Sequence, residues 1–165
     1  MQVVVLKLKL RVVNRAKEAK LRVMQEAFTR CVRLHLEQAV NLKTTSASKL
    51  HHACYRAARE ACPELPASTV QQARDKALAM YRGHLSRLRA KRRSSLPVVK
   101  DVLPLRLAAE NLRVFPDRKV LRVTTPNGFL WLPLVIPPRY QEHTALHHGV
   151  SEMVRRGQDW YLYLT

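Results

Sequence analysis

Residues 154–165, VRRGQDWYLYLT, read as a β-hairpin. One strand leads up to Val154 and Arg155, Gly157 sits at the turn, and residues 160–164 return. Aromatic and aliphatic side chains dominate the returning strand, as a pleated, half-buried surface requires. Alternation places Trp160 and Leu162 on one face and Tyr161 and Tyr163 on the other. A two-stranded ribbon is not stable by itself in water and needs further strands. The other end of the chain supplies a candidate. In residues 2–13, QVVVLKLKLRVV, Leu6, Leu8, Leu10 and Val12 point one way, and Lys7, Lys9 and Arg11 the other. This is a strand with one buried face and one basic face. It has no neighbour in sequence to pair with, so it is expected to join the C-terminal strands.

Between these strands the pattern is helical. Asn14 can cap a helix running to about Leu42, with Val23, Met24, Ala27, Phe28, Cys31 and Leu34 or His35 as its apolar stripe and Glu18, Arg22, Glu26 and Arg30 as an i,i+4 ladder. A polar break over 44–48 precedes a second helix, about 47–61, with Leu50, Ala53, Cys54, Ala57 and Ala58 inward. After CPELPAS, Ser68 and Gln71 have the spacing of a capping box for a third helix, whose stripe is Val70, Ala73, Ala77, Met80 or Tyr81, Leu85 and Leu88. From Arg82 onward it turns basic, and RRSSLP ends it.

Beyond Pro97 the text changes to short β-rich runs joined by PD and PNG turns, which are hairpin signals at close spacing. A short helix near 138–148 and the closing hairpin complete it, giving about five strands after residue 101. The fold class expected is α+β: a small antiparallel β-barrel of the oligonucleotide-binding type, formed by strand one and the C-terminal strands, with an inserted three-helix bundle. The divisions are 1–13 with 101–165 for the barrel and 14–100 for the insertion.

Charge is the dominant compositional fact. Thirty Lys and Arg face twelve Asp and Glu, a net charge of +18. A compact domain carries such an excess most easily beside a polyanion. The excess is uneven: residues 1–60 hold 13 basic and 4 acidic side chains, residues 61–100 hold 9 and 2, and residues 101–165 hold 8 and 6. The polyanion face is therefore expected on the first hundred residues. Cys31, Cys54 and Cys62 have no CxxC spacing, which suits free thiols in a reducing compartment. The N-terminal apolar run is too short and too charged for a signal sequence, and no stretch approaches the ~18 apolar residues of a membrane span. A prokaryotic cytosolic or nucleoid location, with no membrane partner, is expected. Nothing in the sequence sets the oligomeric state.

Catalytic patterns are lacking. The carboxylates are scattered rather than clustered as a two-metal nuclease needs, with Asp117 in a turn and Asp75 among basic neighbours. The four glycines are isolated, so no phosphate-cradling loop is present. His51, His52 and Cys54 lie together, and His143 and His147 share an i,i+4 spacing, but neither set has the four-ligand spacing of structural zinc. No catalytic or metal-binding residue and no cofactor is assigned.

The strongest binding signal is YRGHLSRLRAKRRSS. Helical spacing puts Arg82, Arg89 and Arg93 on one face and Arg87 and Lys91 on another, with Arg92 between. Cations complementing a helix C-terminus explain two or three of these, not six with no acidic partner between Asp75 and the end of that stretch. Stripes of this kind fit a phosphate backbone. Lys7, Lys9 and Arg11 offer a second basic face on the first strand. Trp131, Tyr140, Trp160, Tyr161 and Tyr163 are the aromatics available for stacking, although most suit a core.

The order of these pieces resembles the N-terminal half of the TnpB family, transposon-encoded RNA-guided DNA endonucleases related to compact type V CRISPR effectors. PASTVQQARDKALAMYRGHL resembles a family helix with a Gln and a late aromatic, here Gln71 and Tyr81. SSLPVVK resembles its basic segment of Pro, an apolar pair and Lys, here Pro97 to Lys100, with Val99 where the family often has Phe. NLRVFPDRKVLRV resembles its strand pair, and VRRGQDWYLYLT its last hairpin before the nuclease. The resemblance implies a RuvC-like nuclease domain after Thr165, carrying the catalytic carboxylates, the Mg²⁺ and the Zn²⁺ site, none of which these 165 residues contain. It implies that Gln71, with Arg74 on the same helix, lies near target-adjacent double-stranded DNA. Lys7, Lys9, Arg11, Arg82, Arg87, Arg89, Lys91, Arg92, Arg93, Lys100, Arg155 and Arg156 would hold guide RNA or heteroduplex backbone. Base pairing would then read sequence while the protein reads shape and charge.

The function expected is a nucleic-acid-binding module that holds a guide RNA scaffold and the target-adjacent DNA, without its own catalytic site, working with a separate nuclease domain. Two alternatives stay open. The chain is a fragment or subunit of an active RNA-guided endonuclease, or it is a generic binder of structured RNA.

Overall fold

A computed structural model describes residues 4–11, 14–145 and 148–165 of the chain. Strand β1 (Leu6–Leu10) is followed by helices α1 (Arg15–Asn41), α2 (Ala47–Ala61) and α3 (Ala67–Arg89). Strands β2 (Leu105–Leu107), β3 (Leu112–Phe115), β4 (Val120–Thr125), β5 (Gly128–Val135), β6 (Ser151–Arg156) and β7 (Asp159–Leu164) complete it. All pairings are antiparallel, in the order β2-β6-β7-β1-β5-β4-β3. The α+β class and the insertion of three helices between the first strand and the rest are as expected. The sheet has one more C-terminal strand than expected, and it is open. Among the described residues the short strands β2 and β3 are its two edges, so backbone pairing does not close a barrel.

The position of β1 follows from its alternation. Leu6, Leu8 and Leu10 are buried while Lys7 and Lys9 are exposed. Its residues 6–9 pair with β7, from Leu6 opposite Leu164 to Lys9 opposite Tyr161. Its C-terminal end pairs with β5, Leu10 facing Leu134, and the Arg11 N–H donates to the Pro133 carbonyl at 2.9 Å. The first strand thus lies between the β6–β7 hairpin and the β3–β4–β5 meander. In the hairpin, Arg156 faces Asp159 across a two-residue turn whose first member, Gly157, has φ +61°. A two-residue hairpin loop requires this conformation and glycine adopts it freely. Trp160, Leu162 and Leu164 are buried, and Tyr161 and Tyr163 half-buried on the outer face.

The first two helices start with side-chain caps, Asn14 as expected and Ser46 within the polar break. The Asn14 Oδ1 accepts from the Lys17 N–H at 2.9 Å, and the Ser46 Oγ from the Lys49 N–H at 3.3 Å. The third does not. It begins at Ala67 after Pro66 with no side-chain cap, and Ser68 lies within its first turn. The Ser68 hydroxyl instead accepts from the Asn111 amide, which also reaches the Thr69 Oγ1 at 3.1 Å, so a tertiary contact takes the place of the capping box.

Helix α1 buries a wider face than one stripe. Leu21, Met24, Ala27, Phe28, Cys31, Val32, His35, Leu36 and Ala39 are covered, while Val23 is exposed. The reason is that α1 packs against α2, α3 and β2 together. The ladder of alternating charge on α1 is replaced by tertiary pairs: Glu18 with Arg155 at 3.2 Å and Arg30 with Glu64 at 2.9 Å. One apolar core runs from the β1 leucines through the helices to β7. The helix expected over 138–148 is two single 3₁₀ turns, Pro138–Tyr140 and His143–Ala145. Thr144 is the buried side chain in these turns, too little apolar face to offset helix nucleation. His147 lies outside the described residues, as do Val12 and Val13 at the end of the expected first strand.

Two measurements test this packing. Leu8→Ala removes a buried leucine where β1 meets the core, and should lower unfolding free energy by about 2–5 kcal/mol in urea denaturation. The second concerns His35, buried in the helical bundle with its Nδ1 2.9 Å from the Cys31 carbonyl oxygen. Burial holds its imidazole below the ordinary value of 6.5; the bond to Cys31 opposes this, and the Arg74 guanidinium acts in the same direction as burial. A base with a lowered folded pKa takes up its proton more readily when unfolded, so its contribution is complete above 6.5 and is lost as pH falls below it. Unfolding free energy should therefore decline from pH ~7 to ~5, with a slope of up to about 1.4 kcal/mol per pH unit, and His35→Gln should remove that component.

Candidate nucleic-acid interface

Helix α3 ends at Arg89, and the chain turns back at Lys91 with φ +54°. The Lys91 N–H bonds to the Leu88 carbonyl and the Arg92 N–H to the Arg87 carbonyl, both at 2.9 Å. This is the paired arrangement that commonly ends helices with glycine in the left-handed position. Lysine holds that position here, and again at the end of α1, where Lys43 has φ +47°. The reversal changes the expected geometry. Arg93 and Lys91 lie past the helix end, so they do not share helical faces with Arg82, Arg89 or Arg87. The stripes read from spacing are replaced by a corner.

Residues 94–100 form a strap that returns from this corner along α1. The Ser94 hydroxyl meets His84 Nδ1 at 2.9 Å and accepts from Arg87 Nε at 3.1 Å. Arg33 on α1 donates to the Val99 carbonyl at 3.1 Å and the Lys100 carbonyl at 3.4 Å, and Val99 is buried beneath it. A groove of about 550 Å³ lies under the strap, lined by Arg87, Arg93, Lys100, Ser94, Ser95 and Leu96, among others. Arg89, Lys91 and Arg92 are exposed at the same corner. Among the described residues none of these six cations is in an ion pair. The corner is thus an uncompensated positive site with two sets of donors, guanidinium groups and lysine ammonium groups, held by Arg33 and Ser94.

The other predicted residues are placed differently. Arg82 donates to the Thr45 carbonyl at 2.7 Å and ties α3 to the loop before α2. Arg74 is bound to Asp75 at 2.7 Å, lies 3.4 Å from His51 Nδ1, and has a side chain only 16% exposed. Arg155 bonds Glu18 at 3.2 Å. Gln71 is exposed near the start of α3, about 27 Å along the helix from Arg89 at 1.5 Å per residue, so it cannot share a phosphate with the corner. On the β1 face, Lys9 bonds Asp159 at 2.8 Å, which raises its ammonium above the ordinary value, and Lys7 lies 4.5 Å over the Tyr161 ring. Arg156 is exposed, 5.8 Å from the Tyr163 ring. Lys9 and Arg11 line a groove of about 520 Å³ together with Glu18 and Asp159, whose carboxylates offset the cations.

His52 and Cys54 bond to carbonyls of their own helix, Ser48 at 2.8 Å and Leu50 at 3.1 Å, and His51 stacks on Tyr55 at 4.4 Å. Among the described residues no three His, Cys, Asp or Glu side chains gather as metal ligands, and no helix is long and apolar enough to cross a membrane. Sequence reading passed over Arg33, whose role depends on a strap 66 residues away. It also passed over the outer face of β3–β5, where Arg113, Arg122 and Phe129 have the parity of Trp131. Alternation within NLRVF, VLRVTT and GFLWLP carries that signal. No protein-family model and no curated protein matches this chain.

Left-handed backbone at a side-chain-bearing residue costs about 1 kcal/mol relative to glycine. Lys91→Gly and Lys43→Gly should each raise unfolding free energy by about that amount, read from urea midpoints.

Proposed function

We propose that these residues form a nucleic-acid-binding module of a TnpB-like system. It holds a guide RNA scaffold and the double-stranded DNA beside the target, and leaves cleavage to a nuclease domain that carries the Mg²⁺ and Zn²⁺. The observation that carries this reading is the corner of α3, where Arg87, Arg93 and Lys100 line one groove, Arg89, Lys91 and Arg92 are exposed beside it, and among the described residues none of the six is in an ion pair. Fixed cations at close spacing displace counterions from a phosphate backbone, and binding of this kind is steeply salt-dependent. The net charge of +18 adds a long-range attraction for any polyanion. Gln71, far along α3 from the corner, suits a second contact with DNA rather than the same RNA phosphates. A closed barrel, the finer form of the fold, belongs to this reading as well, with β2 and β3 as the edges that RNA or a following domain would bring together.

The test is affinity for RNA as a function of salt. Changing Arg89, Arg92 and Arg93 together to Ala should weaken binding at every sequence tested and reduce the slope of log K against log salt by about 2–3, near 0.7–0.9 per lost phosphate contact. An unchanged slope would place the RNA elsewhere. Sequencing the RNA that copurifies from a host carrying the native flanking DNA separates the specific reading from the generic one. A single dominant RNA ending near the element boundary supports a guide-RNA module. A broad spread of ribosomal and transfer RNA means that charge by itself drives binding.

A further inference from the structure

The outer face of β3, β4 and β5 carries aromatic rings interleaved with guanidinium groups. The register sets Arg113 opposite Arg122, Arg122 opposite Trp131, and Thr124 opposite Phe129. Leu112, Val114, Leu121, Val123, Leu130 and Leu132 point into the core, so alternation turns Arg113, Phe115, Arg122, Phe129 and Trp131 outward together. The Phe115 and Trp131 rings are 5.6 Å apart and tilted by 38°. The Arg122 guanidinium lies 4.3 Å from the Phe129 ring, and that of Arg113 lies 5.1 Å from the Phe115 ring. Phe129 is 55% exposed and Trp131 43%.

Two features of this lattice carry a folding cost, which the guanidinium–ring contacts at this exposed face offset only in part. Large rings on a solvent face lose the burial that normally justifies them. Arginines directly opposite on neighbouring strands repel, and among the described residues neither Arg113 nor Arg122 is in an ion pair. A ligand that offers flat rings and negative charge in alternation relieves both. A single strand of nucleic acid has that chemistry, since its bases are free to stack and its phosphates recur along the chain. A duplex keeps its base faces stacked inside and presents phosphate, sugar and base edges, none of which stacks on an aromatic ring. An apolar protein surface would leave the two guanidinium groups uncompensated.

We propose that this face is a stacking platform for unpaired nucleotides, with bases lying on Trp131 and Phe129 and backbone phosphates held by Arg113 and Arg122. It rests on the reading that the chain binds nucleic acid. It adds the form recognised, a single-stranded segment, on elements separate from the α3 corner.

The chain has two tryptophans, of which Trp160 is buried, so Trp131 is the fluorophore open to a stacked base. Titration of the full chain with an oligouridylate of about ten nucleotides should quench tryptophan emission, and a blunt duplex of the same length should not. Trp131→Leu and Phe129→Leu should each lower the ratio of single-strand to duplex affinity by roughly five- to one-hundred-fold. Far-UV circular dichroism and urea midpoints confirm that the variants are folded. If the oligouridylate binds without quenching, or binds both variants as it binds the parent, the platform is overturned. Should the Arg89, Arg92 and Arg93 changes still weaken RNA binding in that case, the proposed function stands without it. If the parent binds neither probe, both readings fail. Should Trp131→Leu instead convert a dimer into a monomer on size exclusion, the face is a contact between copies and the platform is again overturned.

Discussion

The structure depends on the two-sided pairing of a five-residue strand. β1 hydrogen-bonds β7 along most of its length and β5 at its end, so one short segment joins a hairpin to a meander. Its three leucines enter the core from the middle of the sheet. Neither a hairpin nor a small meander holds together well by itself in water, and the sheet becomes continuous only when this strand is in place. The constraint also dictates the route of the chain. The helices leave from one end of β1 and must come back to β2, which packs against both α1 and α3. The helical bundle and the sheet therefore share one core.

The same constraint separates two kinds of cation. Some arginines are engaged by carboxylates: Arg155 of β6 with Glu18 of α1, Arg30 with Glu64 inside the bundle, Arg106 of β2 with Glu152 of β6, and Arg74 with its neighbour Asp75 on α3. Partly exposed pairs of this sort contribute little to stability, about 0–1 kcal/mol each, and their effect is mainly to position the elements they connect. Among the described residues no carboxylate forms an ion pair with the cations at the exit of α3. Lysine in a left-handed helix cap at the same corner adds a small conformational cost to the electrostatic one.

Local sequence legibility tracked how local the stabilising contacts are. Asn14 and Ser46 cap the residues that follow them, and both helix starts are visible from three or four positions. The turn at Gly157 is equally local. Ser68 has the right spacing for a cap, but its hydroxyl is taken by Asn111, 43 residues away. The 138–148 segment has helical spacing without enough buried surface to sustain a helix. At the candidate site, the residue types were legible and their arrangement was not. Arg93 was placed on a helix face because nothing in the spacing shows the reversal at Lys91, a position where glycine would ordinarily announce it. The β3–β5 lattice was hidden because each strand carries only one or two of its members.

The sequence by itself determined the α+β class, the three helices, the alternation that buries one face of the first and last strands, and the concentration of charge before residue 100. These depend on periodicity, capping and composition, which act over a few residues. Only the tertiary structure decided that backbone pairing among the described residues leaves β2 and β3 as edges, which arginines are consumed by carboxylates, and which cations share the groove beneath the strap. Those outcomes depend on which distant segments compete for the same edge, partner or surface, and no local pattern encodes the result of that competition.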